Sequence, residues 1–265
     1  MSFEKKNNHT ISKNDVFAVA GKILSVMAAL LAWQLLATHI HQKILLVTPV
    51  DVIKRLTTIH EVPDFMRLVW FSASHIMGGF FIGLALGIIL AVVSYCFHWV
   101  EILLWPWMAM IKSVPVASFV VICLIWLKSD NLSVFISFLI VVPVIYKNVL
   151  MGLKNKDDKM EEAARVFKVS LLKKIRYVYV PAVAPFLISA CEISAGMAWK
   201  AGVAAEIIGT PAGSVGHMIY LSKMYLDTDD LLAWTVIIVL LSVIFEKLVV
   251  AVAKCVLGSS QKGVS

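Results

Sequence analysis

Apolar residues in this chain fall in runs of about 20, the length that carries a helix across the hydrocarbon core of a bilayer. Six such runs are legible, at about 16–38, 74–96, 103–127, 132–152, 181–208 and 231–257. Open strands would leave backbone groups unpaired in lipid, so the pattern predicts helices. The reading is an all-α integral membrane protein, a single domain over 1–265 with about six transmembrane helices. The third run is interrupted by "MIKSVPVAS", which places Lys112, Ser113 and Pro115 among apolar residues. Proline removes a helix hydrogen bond and clashes with the turn before it, so a kink or two helical pieces are expected there.

The polar gaps set the orientation. Segment 154–176 carries Lys154, Lys156, Lys159, Arg165, Lys168, Lys173, Lys174 and Arg176, and so basic a loop stays on the cytoplasmic side. Segment 209–230 holds Lys223 against Asp227, Asp229 and Asp230, which suits the outside. Six spans then put both termini inside, in keeping with Lys5, Lys6, Lys254 and Lys262. Lys5, Lys6 and Lys13 precede the first run as a signal peptide's basic region would. That run exceeds a cleavable segment, however, and reads as a retained span.

Composition sharpens this picture. Hydrophobic residues make up 60% of the chain, charged residues 15%, and the mean hydropathy is +0.87, which excludes an ordinary soluble domain. The net charge of +7 reports topology rather than nucleic-acid binding. Cys96, Cys123, Cys191 and Cys255 lie in or beside apolar runs, form no CxxC pair and read as buried free thiols. His39, His41 and His60 lack a carboxylate or thiol at metal spacing, so no metal site is expected.

The basic loop has an internal pattern. Met160, Ala163, Ala164 and Phe167 recur at i, i+3, i+4 and i+7, one face of a helix. Asp157 or Asp158 can cap its start, and Ser170 a second helix leading through Leu171, Leu172 and Ile175 to Pro181. The apolar face has two readings. It packs on its own bundle or the headgroups, or it inserts into a soluble partner, with Glu161 and Glu162 meeting basic groups at the rim.

"EAARVFKVSLLKKIRYVYVP", 162–181, resembles the EAA loop of ABC-importer permeases: Glu162, Ala163, Ala164 and Pro181 match in type and spacing. The family's Gly falls on Lys168, which must be helical or extended, or else bear strain. "LLVTPVDVIKRL" (45–56), "SHIMGGFFIGLALG" (74–87), "VPVIYKNVLMGL" (142–153), "AWKAGVAAEIIG" (198–209) and "TDDLLAW" (228–234) are similar to the nitrate, taurine and alkanesulfonate branch, to which pyrimidine-precursor and riboflavin importers are related. "WLKSDN" departs from the Trp-Phe-Gly and acidic residue often found after the third span.

The resemblance implies a type I ABC-importer permease in a bacterial plasma membrane, with no enzymatic activity of its own. Its implied partners are a cytoplasmic ATPase dimer, a second permease copy (usually identical) and an extracytoplasmic binding protein or lipoprotein. ATP and Mg belong to the ATPase; the chain has no GxxxxGK[ST] loop and is expected to bind no cofactor. Glu161, Glu162, Ala163, Ala164, Phe167 and Lys168 are the ATPase-coupling candidates.

Further residues carry candidate roles. Gly79, Gly83 and Gly87 share a face of the second span and suit close helix packing, within or between protomers. Glu192, Trp199 and Glu206 are spaced by seven on the fifth, bordered by Lys200. A charge at mid-helix costs about 2.5–3.5 kcal/mol, so Lys200 should face the bundle interior or a watery path. Glu192 and Glu206, nearer the ends, should reach polar surroundings. Lys112, Ser113, Pro115, Trp199, Lys200 and Glu206 are the pathway candidates, with structural pairing or packing as the alternative reading for the lysines and Trp199. Segment 209–230 should carry an amphipathic helix around 219–226 on the outer surface. A stand-alone secondary transporter or channel is the alternative function, but no internal repeat is visible. An intramembrane enzyme would need clustered catalytic groups within the spans, and none is evident.

Overall fold

The computed structural model describes residues 13–258, apart from 41, 43 and 45. Lys5, Lys6, His41 and Lys262, used above for orientation and metal binding, lie outside the described residues. Helix α1 (Lys13–Ile40) leads to α2 (Pro49–Thr58) and a 3₁₀ turn (Ile59–Glu61), followed by α3 (Phe65–Cys96), α4 (His98–Ser113), α5 (Val116–Cys123) and α6 (Ser129–Lys154). Beyond them come α7 (Asp158–Val166), then α8 (Leu171–Lys174), which runs through a π-helical stretch (Ile175–Tyr179) into α9 (Val180–Gly209), and finally α10 (Val215–Met224) and α11 (Thr228–Gly258). No strand occurs among the described residues.

Four helical stretches are long and apolar enough to cross a membrane: Phe65–Cys96, Ser129–Lys154, Leu171–Gly209 and Thr228–Leu257. The third span, 103–127, expected to kink or to form two helical pieces, is two helices, α4 and α5, bent by 103° across the break at Val114 and Pro115, and counts as a fifth span if the pair is taken together. Pro115 has extended backbone, as does Val114 before it, so the helix ends there rather than kinking. The first expected span, 16–38, corresponds to α1, whose apolar portion among the residues searched is Leu24–Ile40.

Helices α3, α6 and α9 form the core. Gly79, Gly83 and Gly87 face α6 within the same chain. A Cβ on Gly79 would lie 2.3 Å from the Val134 carbonyl oxygen, and one on Gly83 2.8 Å from the Val141 Cβ. Gly202 of α9 is equally confined, with its would-be Cβ 2.6 Å from both Ile76 and Ser137. Small residues thus let the backbones approach, the means by which helices pack where lipid offers no hydrophobic drive. Ile76, Phe80, Val141, Ile145 and Trp199 are buried between these helices, and Phe245 of α11 closes the cluster edge-on to Phe80 at 5.2 Å. The outward side of α11, including Val239, Leu240, Val252 and Val256, is exposed and apolar.

Helix α2 begins with Thr48 accepting from the Asp51 amide at 3.2 Å and Pro49 in its first turn. Arg55 ties α2 to the first turn of α11 through an ion pair with Asp230, which holds the guanidinium above its usual pKa. All four cysteines are free thiols; Cys123 and Cys191 are buried as expected, whereas Cys96 and Cys255, at the ends of their helices, are exposed.

Helix α10 corresponds to the amphipathic helix expected around 219–226. It starts earlier, capped by Ser214, whose hydroxyl accepts from the His217 amide at 3.0 Å. Val215, Gly216, Ile219 and Ser222 are buried, because α10 packs onto α9, α11 and α3.

Candidate functional site

The loop between α6 and α9 is built from the caps its sequence supplies. Asp157 is the N-cap of α7 and accepts from the Lys159 amide at 2.9 Å, while Asp158 and Glu161 lie in the positive first turn. Ser170 takes the N-cap position of α8, but its side chain makes no capping bond. At the other end of α7, the Val169 amide donates to Ala164 O at 2.9 Å and the Lys168 amide to Arg165 O at 3.1 Å. This pair of bonds is a Schellman motif, and it needs a left-handed residue between helix and tail. Lys168 occupies that position with φ of 51°. Of the conformations open to Lys168, the chain adopts the strained one and keeps the turn that glycine would make. A non-glycine residue there costs about 1–2 kcal/mol.

The two glutamates of this loop face differently. Glu161 is largely buried. Its carboxylate accepts from Lys174 Nζ at 2.6 Å and Tyr179 Oη at 3.2 Å, and pairs with Lys156 Nζ at 2.9 Å. The two lysines hold its carboxyl well below the usual range, at about 2, and Lys156 is raised in return. Lys156 also lies over the Tyr95 ring, 5.8 Å from its centroid. The hub joins α7 to the foot of α9 and the end of α3. Glu162 is exposed.

The face expected from Met160, Ala163, Ala164 and Phe167 is therefore split. Ala164, one turn beyond Glu161, is half-buried, whereas Met160 and Ala163 are exposed. Phe167 lies just past the helix end. The tip beyond is strongly apolar and uncovered: Val166 is 77% exposed, Phe167 79%, Leu171 70% and Leu172 80%.

The pathway candidates do not converge. Lys112 is exposed in the last turn of α4, where Ser113 Oγ donates to Ala109 O at 2.8 Å, and Pro115 caps α5. Trp199 is 2% exposed and packs on Phe245 with centroids 6.2 Å apart. Lys200, expected to face the bundle interior or a watery path, is exposed on the single chain and not in its interior. The buried stripe of α9 runs through Ala195, Ala198, Trp199, Gly202, Ala205 and Glu206, leaving position 200 about 100° away from Trp199.

Glu206 is fully buried, with a residue exposure of 0%, and its polar surroundings come from the protein rather than from solvent. Its Oε2 accepts from Ser72 Oγ at 2.6 Å and the Gly216 amide at 3.2 Å, and Ser72 Oγ accepts from the Val215 amide at 2.9 Å. Glu206 and Ser72 thereby satisfy the open N-terminus of α10 and bind α3, α9 and α10 together. Glu192 is exposed. No group of three metal-ligating side chains occurs among the described residues. Reading the sequence missed Ser72 and Gly216, and assigned no hub role to Lys156, Lys174 or Tyr179; their partners are distant in the chain or across a turn.

An all-helical, multi-span bundle carrying a capped helix on a basic connecting loop has the architecture of a transport permease. The chain belongs to the family of binding-protein-dependent transport system inner membrane components, which matches residues 83–256. It is 29% identical to a putative aliphatic sulfonates transport permease protein of Bacillus subtilis over 161 residues, 60% of this chain and 58% of that one. A probable ABC transporter permease of Brucella melitensis is 27% identical over 237 residues, 86% of this chain and 92% of that protein. A nitrate import permease protein of Leptolyngbya laminosa is 26% identical over 181 residues, 68% of this chain and 63% of its own.

Proposed function

We propose that this permease is the membrane subunit of an ATP-driven importer, and that α7 and the apolar tip after it dock a cytoplasmic ATPase. The observation that carries the reading is the cluster of Val166, Phe167, Leu171 and Leu172, left uncovered on a charged loop beside a capped helix. Large exposed apolar residues gathered in one place mark an interaction site. Glu162, Ala163 and Lys168 lie on or beside that surface, while Glu161 ties it to the bundle. ATP-driven closure of two such partners would move α7 and, through the Glu161 hub, the foot of α9. The loop is then cytoplasmic, with both termini on the same side, a second copy of the chain completing the pathway and a binding protein delivering substrate outside. The relatives' names favour a small oxoanion such as a sulfonate or nitrate as the cargo.

The test is co-purification of the ATPase with the permease, followed by substrate-stimulated ATP hydrolysis. Ala163→Trp should overpack the contact, costing about 1–3 kcal/mol, and Glu162→Lys should repel a basic groove. Both variants are expected to insert in the membrane yet lose the ATPase or its stimulated hydrolysis, while Lys173→Gln retains both. Stoichiometric ATPase and normal stimulation in both loop variants would overturn the reading.

A further inference from the structure

Helices α4 and α6 enclose a cleft of about 320 Å³, lined in part by Glu101, Trp105, Lys112, Tyr146 and Lys147. At one end the helices are joined by Lys154 Nζ and Glu101 Oε1 at 2.5 Å. Lys147 lies two turns of α6 before that ion pair, about 10 Å along the helix and inside an apolar span. Lys112 lines the same cleft from the last turn of α4.

Two like charges sharing a cleft within a membrane-spanning bundle are unfavourable unless an anion or water serves them. The carboxylate in the cleft is already taken, since Glu101 holds Lys154 and also meets His98 Nδ1 at 3.4 Å. Neither Lys112 nor Lys147 has an ion pair or hydrogen bond from its ammonium among the described residues. Tyr146 donates its hydroxyl to Ser94 Oγ at 3.2 Å, and Trp105, 72% exposed, lines the mouth of the cleft. The cleft thus offers two cationic donors above an aromatic floor.

We propose that this cleft is an oxoanion site, in which Lys112 and Lys147 together hold one phosphate or sulfonate group. The inference rests on the permease reading for the membrane depth of the cleft, but it does not involve the ATPase surface. The group can arrive on an anionic lipid, entering past Trp105 from the bilayer, or as a free sulfonate. Lysines in such basic pockets between spans are what anionic headgroups seek.

The full chain is reconstituted into nanodiscs of phosphatidylcholine alone or with phosphatidylglycerol, and retained ligands are counted by native mass spectrometry, with ethanesulfonate as the free probe. Removing both charges by Lys112→Gln with Lys147→Gln should weaken binding on the order of tenfold, whereas the Lys112→Arg, Lys147→Arg pair should retain it. Phosphatidylglycerol retention lost only in the glutamine pair assigns a lipid phosphate. Ethanesulfonate binding in phosphatidylcholine discs, lost in the same pair, assigns a free anion. Equal binding of both probes to wild type and the glutamine pair overturns the site. Should the glutamine pair not fold, wild type that neither prefers phosphatidylglycerol to phosphatidylcholine nor binds ethanesulfonate overturns it equally. Because binding is the readout, failure here leaves ATPase docking standing, and loss of ATPase docking leaves the cleft standing.

Discussion

Replacing Lys168 with glycine should make the loop firmer, although it removes a charge and a long side chain. Lys168 sits at φ of 51° between two Schellman bonds, the Val169 amide to Ala164 O and its own amide to Arg165 O. The left-handed conformation costs a lysine about 1–2 kcal/mol that glycine does not incur. Glycine gives back about 0.5–1 kcal/mol through its freer unfolded chain. The net gain is about 0.5–1 kcal/mol, which slows exchange through local opening about two- to fivefold. Hydrogen exchange at the amides of residues 168 and 169, followed by mass spectrometry on the detergent-solubilised permease, reads this directly. Lys168→Val should move the other way, because a branched Cβ is a sharper outlier at positive φ. If glycine leaves exchange at 169 unchanged and valine protects it as well as lysine does, the turn is not held as described, and strain at Lys168 has no bearing on the loop.

Two further outcomes follow from the buried carboxylates. The Glu161 carboxyl is held at about 2 against an ordinary 4.5, so its contribution is fully present above pH 4.5 and is lost as the pH falls towards 2. Allowing for partial solvent screening, this is worth on the order of 1 kcal/mol. Exchange in α7 should therefore quicken between pH 5 and pH 3 in wild type beyond the intrinsic rate change, and not in Glu161→Gln; parallel curves for the two would refute the hub. Glu206→Ala should leave the Gly216 amide and the Ser72 hydroxyl without their acceptor, at about 1–3 kcal/mol each, whereas Glu206→Gln keeps one. Thermal unfolding in detergent should then rank wild type and glutamine well above alanine, and equal midpoints for all three would remove Glu206 as the anchor of α10.

What the chain disclosed in advance follows the range of each interaction. The glycines at 79, 83 and 87 repeat along one helix face, and a repeat of four is a local signal; only the partner helix had to be supplied by the fold. Trp199 and Lys200 are neighbours, so their separation onto buried and exposed sides depends on the phase of one stripe, which a lysine placed at its border could not fix. The partners of Glu206 were not legible because its environment is made by Ser72, far earlier in the chain, and by the start of α10. A short segment with turn residues before it gave no sign that its amides needed an acceptor.

The loop shows the same limit at close range. Glu161 and Glu162 are identical in type and adjacent, and both sit in an acidic helix start that the macrodipole favours. What distinguishes them is the turn at Lys168, which brings Lys174 and Tyr179 back onto one of the two. Had Lys168 been extended instead, α8 would point elsewhere and Glu161 would lose its partners. The left-handed turn at Lys168 thus sets the geometry that engages Glu161 with its own bundle and leaves Glu162 exposed. A side chain in a strained turn can be tolerated at this place because the Glu161 contacts and the two Schellman bonds hold the turn from both sides.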